Sequence, residues 1–265
     1  MNHKFRVVIV VGLIFAVNDV LAADGLTHDG SSGDHKSAEH KSDADEERAE
    51  SVRPERIGFM LQEGAKVMRN GQVRRAIAEF FDPVLDYLKR SSNAPNTRYY
   101  SAHGMKQSLI YATLKGKEEE NISVEVLGPE WSDAYLLKAY ALIELGNIAE
   151  AQEALHDAIV LSPLTAQYFS ELGYTYQAQK DCDKSLEAYR QAESVVDLGS
   201  EEDSRVSDKT RALRGQGYCL VEKGKWDEAI ATYQRCLELD PDDQRAKAEL
   251  QYANRMKQMV TVEKK

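Results

Sequence analysis

The chain is expected to be all-α, a solenoid of helix–turn–helix repeats closed by a C-terminal capping helix. Three observations point there. A small residue followed four positions later by a large apolar or aromatic one recurs at a period near 34 residues: Ala151, Leu155, Ala158, Pro163, then Ser185, Tyr189, Ala192, Asp197, with Ala229, Tyr233, Cys236, Pro241 restoring the same spacing further on. Near the front, Gly64, Ala76 and Phe80 fit it again. Helix breakers are sparse, with 6 prolines and 16 glycines in 265 residues, as long helices require. Turn residues that tolerate a left-handed backbone (Asn70-Gly71, Gly146-Asn147, Gly224) fall between the two predicted helices of a pair.

Taken in order, residues 1–22 read as a signal peptide. Lys4 and Arg6 give a basic start, Val7 to Val17 an apolar run, and Val20 and Ala22 the small residues of a cleavage site. The run falls well short of the ~20 residues of a spanning helix. Cleavage near Ala22 is expected, with no stable membrane anchor afterwards and export to the periplasm or the medium. Residues 23–56 form a polar arm with ten acids against five bases, a net of −5. An arm with so little apolar area cannot offset its ordering entropy and is expected to be disordered. His28, His35 and His40 make it either a weak metal-capturing arm or a solvating tail. No HxxxH or HExxH spacing fixes ligands, and no metal site is assigned.

The array is expected over 57–243, with repeats at about 57–90, 132–165, 166–199 and 210–243. The first pair is predicted at about 55–69 and 72–90, with an irregularity at Pro83, which lacks a backbone donor. Residues 91–97 read as a loop, 98–115 as an extra helix (Tyr100, Met105, Leu109, Ile110, Leu114), and 116–129 as a charged connection around Lys117–Glu120. Further helices are predicted at about 130–145, 148–161, 164–179, 182–196, 208–222 and 225–239, with an acidic, irregular insertion at 199–207. Residues 244–265 supply the cap and tail, with Ala246, Leu250, Ala253 and Met256 as one apolar stripe.

The net charge of −10 and pI near 5.2 argue against a general nucleic-acid binder. No nucleophile elbow and no complete phosphate-binding loop is present. His103 and His156 fall in separate predicted helices without a nucleophile nearby. The expectation is a non-catalytic protein with no cofactor.

The repeat pattern resembles the tetratricopeptide repeat (TPR) family. The resemblance implies a right-handed superhelix whose concave face, lined by the first helix of each repeat, holds a peptide or helix of a protein partner. Positions two, five, nine and twelve of those helices face the ligand. Carried over, they are Asp133, Leu136, Tyr140 and Ile143; Gln167, Ser170, Tyr174 and Gln177; Arg211, Arg214, Tyr218 and Val221. Position nine is tyrosine three times running, either a capture surface or packing between neighbouring helices. Arg211 and Arg214 would suit a ligand carboxylate. The carboxylate clamp of chaperone-binding members needs Lys and Asn at positions five and nine, which here are Leu136 and Tyr140, or Ser170 and Tyr174.

Cys182 opens a second helix and Cys219 lies late in the next first helix. In an antiparallel stack these ends meet. Two alternatives stand for these residues: a Cys182–Cys219 disulfide in an oxidising compartment, or, with Cys236, three small buried thiols. Two other readings of the whole chain stay open, a self-assembling structural protein of the cell envelope and metal capture by the histidine arm.

Overall fold

The computed structural model describes residues 52–114 and 122–263. Residues 1–51, which include the expected signal peptide and the histidines of the arm, residues 115–121 and residues 264–265 lie outside the described residues, as do the expectations placed on them. The chain divides into two compact units, one ending at Tyr87 and one starting at Leu88.

In the first unit a 3₁₀ turn (Pro54–Arg56) leads into α1 (Ile57–Arg69). The helix closes at Asn70-Gly71. Gly71 has φ +77°, its N–H donates to Met68 O (2.8 Å), and Gln72 N–H donates to Val67 O (3.2 Å). A left-handed residue with bonds reaching three and five residues back is a Schellman closure. α2 (Val73–Ala76) widens into a π-helical turn (Ile77–Phe81) before α3 (Asp82–Ser91), which carries the chain into the second unit. The expected irregularity at Pro83 takes this form: proline offers no N–H to Glu79 O, and Asp82 N–H instead reaches back five residues to Ile77 O. A Cβ at Gly64 would lie 2.6 Å from Phe81 Cε1 and 2.7 Å from Phe80 Cβ, so the missing side chain is what lets the aromatic pair close on α1.

The second unit begins with a departure from the expected helix. Residues 98–115 are not one helix: β1 (Thr97–Ser101) is followed by α4 (Gly104–Thr113), and β2 (Ser123–Leu127) lies in what reads as a charged connection. The strands pair in parallel, Thr97 opposite Ser123 through Ser101 opposite Leu127. Thr-Arg-Tyr-Tyr-Ser and Ser-Val-Glu-Val-Leu are short β-prone runs, and a crossover helix is what a parallel pair needs. Tyr100, assigned by spacing to a helix face, belongs to β1 and stacks its ring on Tyr111 at 4.8 Å. α4 docks on the end of a later helix, where Gln107 Nε2 donates to Gly199 O (2.9 Å) and Lys106 Nζ to Asp197 O (2.7 Å). These bonds satisfy carbonyls that a helix terminus leaves open.

Three antiparallel helix pairs follow: α5 (Glu130–Glu144) with α6 (Ile148–Leu161), α7 (Ala166–Ala178) with α8 (Cys182–Gly199), and α9 (Glu202–Glu222) with α10 (Trp226–Leu239). α11 (Gln244–Glu263) covers the last pair. Each pair turns through the closure seen after α1. Gly146 (φ +81°), Lys180 (φ +62°) and Gly224 (φ +67°) bond three residues back, and Asn147, Asp181 and Lys225 bond five back. The acidic insertion at 199–207 is mostly helical rather than irregular: α8 runs on to Gly199 and α9 starts at Glu202, giving α9 21 residues.

The 34-residue signature is the packing face of the second helices. Ala151, Leu155, Ala158, Ser185, Tyr189, Ala192, Ala229, Tyr233 and Cys236 are all buried. The two tyrosines sit against glycines of the first helices: a Cβ at Gly215 would meet the Tyr189 ring at 2.3 Å and one at Gly217 the Tyr233 ring at 2.5 Å. Each buried ring contributes on the order of 2 kcal/mol of apolar transfer. α11 buries Ala246 and Ala253, and Asp243 caps it by accepting Ala246 N–H (2.9 Å).

Candidate functional site

The expected ligand positions on α5, α7 and α9 divide into three groups. Leu136, Ser170 and Val221 are buried. Tyr140, Ile143, Tyr174, Gln177 and Tyr218 are half-buried, each presenting part of its side chain. The remaining four, Asp133, Gln167, Arg211 and Arg214, are engaged by groups of the chain itself.

A polar ladder crosses the three first helices. Gln167 Nε2 donates to the Tyr140 hydroxyl (3.1 Å), that hydroxyl donates to Glu171 Oε1 (3.1 Å), and Arg211 Nη1 donates to the same oxygen (2.7 Å). Glu171 is 4 % exposed at its side chain and Arg211 35 %. Burial pushes the Glu171 carboxyl above its ordinary range, against the pull of Arg211 and Tyr140. Burial, reinforced by the Glu171 charge, likewise puts the Tyr140 phenol far above its usual value.

The arginines expected to receive a ligand carboxylate are therefore already paired. Arg211 is held by Glu171 and Arg214 by Asp243. Burial works against the Asp243 carboxylate, but the Ala246 N–H and Arg214 outweigh it and hold its carboxyl low. Glu171 was missed by periodicity because it sits off the ligand positions. The signal was available: it is the one acid in α7, surrounded by apolar and aromatic residues.

A second polar cluster joins the βαβ segment to the array. Asp133 Oδ1 lies 3.0 Å from His103 Nε2 and accepts from the Tyr168 hydroxyl at 2.9 Å. Thr165 Oγ1 lies 3.4 Å from His103 Nδ1 and 2.8 Å from Ser162 Oγ, and takes a bond from Gln107 Nε2 (3.3 Å). Ser132 and Ser101 share a bond at 2.9 Å below them. Burial, then the Asp133 charge, pushes the Tyr168 phenol far above its usual value. His103 has a carboxylate on one ring nitrogen and a hydroxyl on the other, an order that serves acid–base chemistry in other settings. Here each of these groups is spent on cross-links between β1, α5 and α7, which fix the segment in place.

Cys182, Cys219 and Cys236 are free thiols, so the Cys182–Cys219 bond is not formed in this structure. Cys219 Sγ donates instead to Ser185 Oγ (3.1 Å), and its thiol is pushed up to about 12 by burial. Cys182 is half-buried and lines a cavity of about 560 Å³ with Gln177, Lys180, Asp183, Tyr218 and Lys223. Among the described residues no cluster of three or more histidine, cysteine or acidic side chains is arranged for a metal ion, and no helix is long and apolar enough to cross a membrane.

Stacked antiparallel pairs with a recurrent turn define an α-helical repeat solenoid. Residues 136–203 match one tetratricopeptide repeat profile and residues 210–243 match another. Residues 136–243 thus form a tetratricopeptide repeat array. No curated protein sequence matches the chain. Among solved structures, a Podosopora anserina kinesin light chain-type protein with nearly identical TPR-like repeats superposes with a TM-score of 0.53 at 16% identity, over 78% of this chain and 89% of its own. MamA aligns with a TM-score of 0.47 at 20% identity, over 75% and 86%. The first TPR of Spaghetti (RPAP3), bound to the HSP90 peptide SRMEEVD, gives 0.41 at 19% identity, over 47% and 90%. At such identity the first of these likenesses shows the fold alone.

Proposed function

We propose that this protein is an exported scaffold that holds a peptide or helix of a protein partner on the face formed by α5, α7 and α9. One observation carries the reading: position nine is a half-buried tyrosine on three successive first helices, Tyr140, Tyr174 and Tyr218. Tyrosine offers a broad apolar face and a polar tip at low entropic cost. The Gln167–Tyr140–Glu171–Arg211 ladder holds the first of these tyrosines in place, so less ordering is left there for binding to cost. The reading is also supported by the TPR match, whose family generally acts without catalysis. Export rests on the basic, apolar and small-residue pattern of residues 1–22. The missing Lys and Asn of the carboxylate clamp direct the search away from chaperone tails.

The test is capture from envelope and culture-medium extracts on immobilised protein, beside a Tyr174→Ala/Tyr218→Ala variant. Tyr140 is spared because it anchors the ladder. Circular dichroism verifies that the variant stays helical. Peptides from any retained protein are then titrated by fluorescence anisotropy. Two lost aromatic contacts at about 1 kcal/mol each predict a loss in affinity on the order of tenfold or more. Equal affinity of both proteins would move the site off this face, and no retained protein at all would sink the scaffold reading.

A further inference from the structure

We infer that Cys182 is a thiol–disulfide exchange site, that Cys219 is its resolving partner, and that together they close a bond between α8 and α9 when the protein meets a small-molecule disulfide. Position and contrast with the next repeat carry the inference.

Position comes first. Cys182 is the first residue of α8, half-buried on the wall of the 560 Å³ cavity, whereas Cys219 and Cys236 have no exposed surface. An incoming disulfide reaches Cys182 before the other two. Cys182 packs against the buried cluster that contains Cys219 of α9. The Cys219 sulfur also bonds Ser185, one turn into α8, so it lies over the first turn of the helix that Cys182 opens. Cys236 is held elsewhere, 3.6 Å from Asp243 Oδ2 and 3.8 Å from Thr210 O.

The cavity wall carries Lys180 and Lys223 beside Asp181, Asp183 and Glu222, and Asp181 caps α8 by accepting the Lys184 N–H (3.1 Å). Lys223 is paired with Asp183, which fixes its ammonium at the rim.

The contrast is with the following repeat, where the same architecture recurs without thiols. A cavity of about 530 Å³ lies at the start of α10, with a Lys257–Asp227 pair in the place of Lys223–Asp183. There Trp226 stands where Cys182 does, and Ala253 where Cys219 does. The cavity is thus a property of the repeat, and the dithiol is particular to the α8–α9 junction.

The steps balance as thiol–disulfide exchange. The Cys182 sulfur attacks one sulfur of the incoming disulfide, forming a mixed disulfide and expelling one thiolate. The Cys219 sulfur then attacks the Cys182 sulfur, forming the Cys182–Cys219 bond and expelling the second thiolate. The two protein S–H protons end on the two expelled thiolates. The protein dithiol is oxidised by two electrons and the small disulfide is reduced to two thiols. Burial keeps Cys219 protonated, which sets the order, with Cys182 attacking first and Cys219 resolving. The bond would fasten the start of α8 beside Tyr218, at one end of the first-helix face.

The test uses the full chain, reduced and then exposed to glutathione disulfide. Remaining thiols are alkylated, and peptides are mapped by mass spectrometry. Cys182 and Cys219 are expected to lose alkylation together and to appear as one cross-linked peptide, with Cys236 still alkylated. Cys219→Ser should stop at a glutathionyl adduct on Cys182, formed on the order of tenfold faster than any adduct on Cys236. Cys219→Ala, with its helicity verified, provides the same reading if serine disturbs the site. Cys182→Ser should leave Cys219 fully alkylated on unfolding, with no adduct. A wild-type protein in which Cys182 stays free, a Cys219 variant without the adduct, or a cross-link that includes Cys236 would each overturn the inference.

Discussion

Glu171 is the residue at which removing a side chain and neutralising it should diverge. Replacing it by alanine leaves the Arg211 guanidinium and the Tyr140 hydroxyl facing a space with no acceptor. Breaking a buried pair by deleting one partner costs about 3–5 kcal/mol. Arg211 is 35 % exposed, and water recovers part of that loss. Adding about 1 kcal/mol for the orphaned hydroxyl, Glu171→Ala should cost about 3 kcal/mol, or on the order of 6–12 °C in melting temperature for a domain of this size. Glu171→Gln differs in kind. It keeps an acceptor of the same shape and removes only the charge. The carboxyl is raised in the folded state, so the native protein binds its proton more tightly than the unfolded chain. Stability therefore falls as pH rises from the ordinary glutamate value through the raised native one, and the ionised wild type carries that loss at neutral pH. Glu171→Gln should cost under about 1 kcal/mol at pH 7, and the wild type should gain on it as pH is lowered through that window. Thermal unfolding followed by circular dichroism over a pH series measures all three proteins. If glutamine proves as damaging as alanine at neutral pH, the charge of Glu171 is the stabilising feature and the reasoning is refuted.

The remaining predictions concern the joints of the repeats. Lys180 holds the left-handed turn position that glycine holds in the neighbouring pairs, so Lys180→Gly should raise stability by about 1 kcal/mol, visible as a higher melting temperature. Gly215→Ala drives a methyl into the Tyr189 ring, which cannot retreat because its hydroxyl is bonded to Gln177 (3.1 Å); a cost of about 2–3 kcal/mol is expected in denaturant unfolding. The Cys182–Cys219 bond would close a loop of about 37 residues and stabilise the oxidised protein by up to about 4 kcal/mol on chain entropy, measured as the difference in melting temperature with and without reductant.

How much of this was legible follows from what each signal reports. Period-34 positions such as Ala151, Tyr189 and Cys236 mark helix packing, and they are buried as that reading requires. Asn70-Gly71 and Gly224 mark left-handed turns, and both adopt them. Lys180 does the same work with no glycine to announce it, because the pattern of the repeat imposes the turn on whatever residue falls there. The βαβ segment escaped because five-residue strands leave too little periodicity to separate Tyr100 on a strand from Tyr100 on a helix face. Its anchoring is also non-local: His103, Asp133, Thr165 and Tyr168 meet only after the fold has formed.

Internal bonds between the first helices also reshape the proposed binding face. Positions two and five on the first helices, Asp133, Gln167, Arg211, Leu136, Ser170 and Arg214, are spent on internal bonds or burial. Positions nine and twelve keep Tyr140, Ile143, Tyr174, Gln177 and Tyr218 half-buried, and only Val221 is lost. The surface left for a partner is thus shifted toward the C-terminal halves of α5, α7 and α9. It is aromatic and uncharged where the opposite half is ionic and closed. On the proposed reading, a ligand held there would gain affinity by stacking and apolar contact, because the guanidiniums that would receive an acidic terminus already have carboxylates of their own.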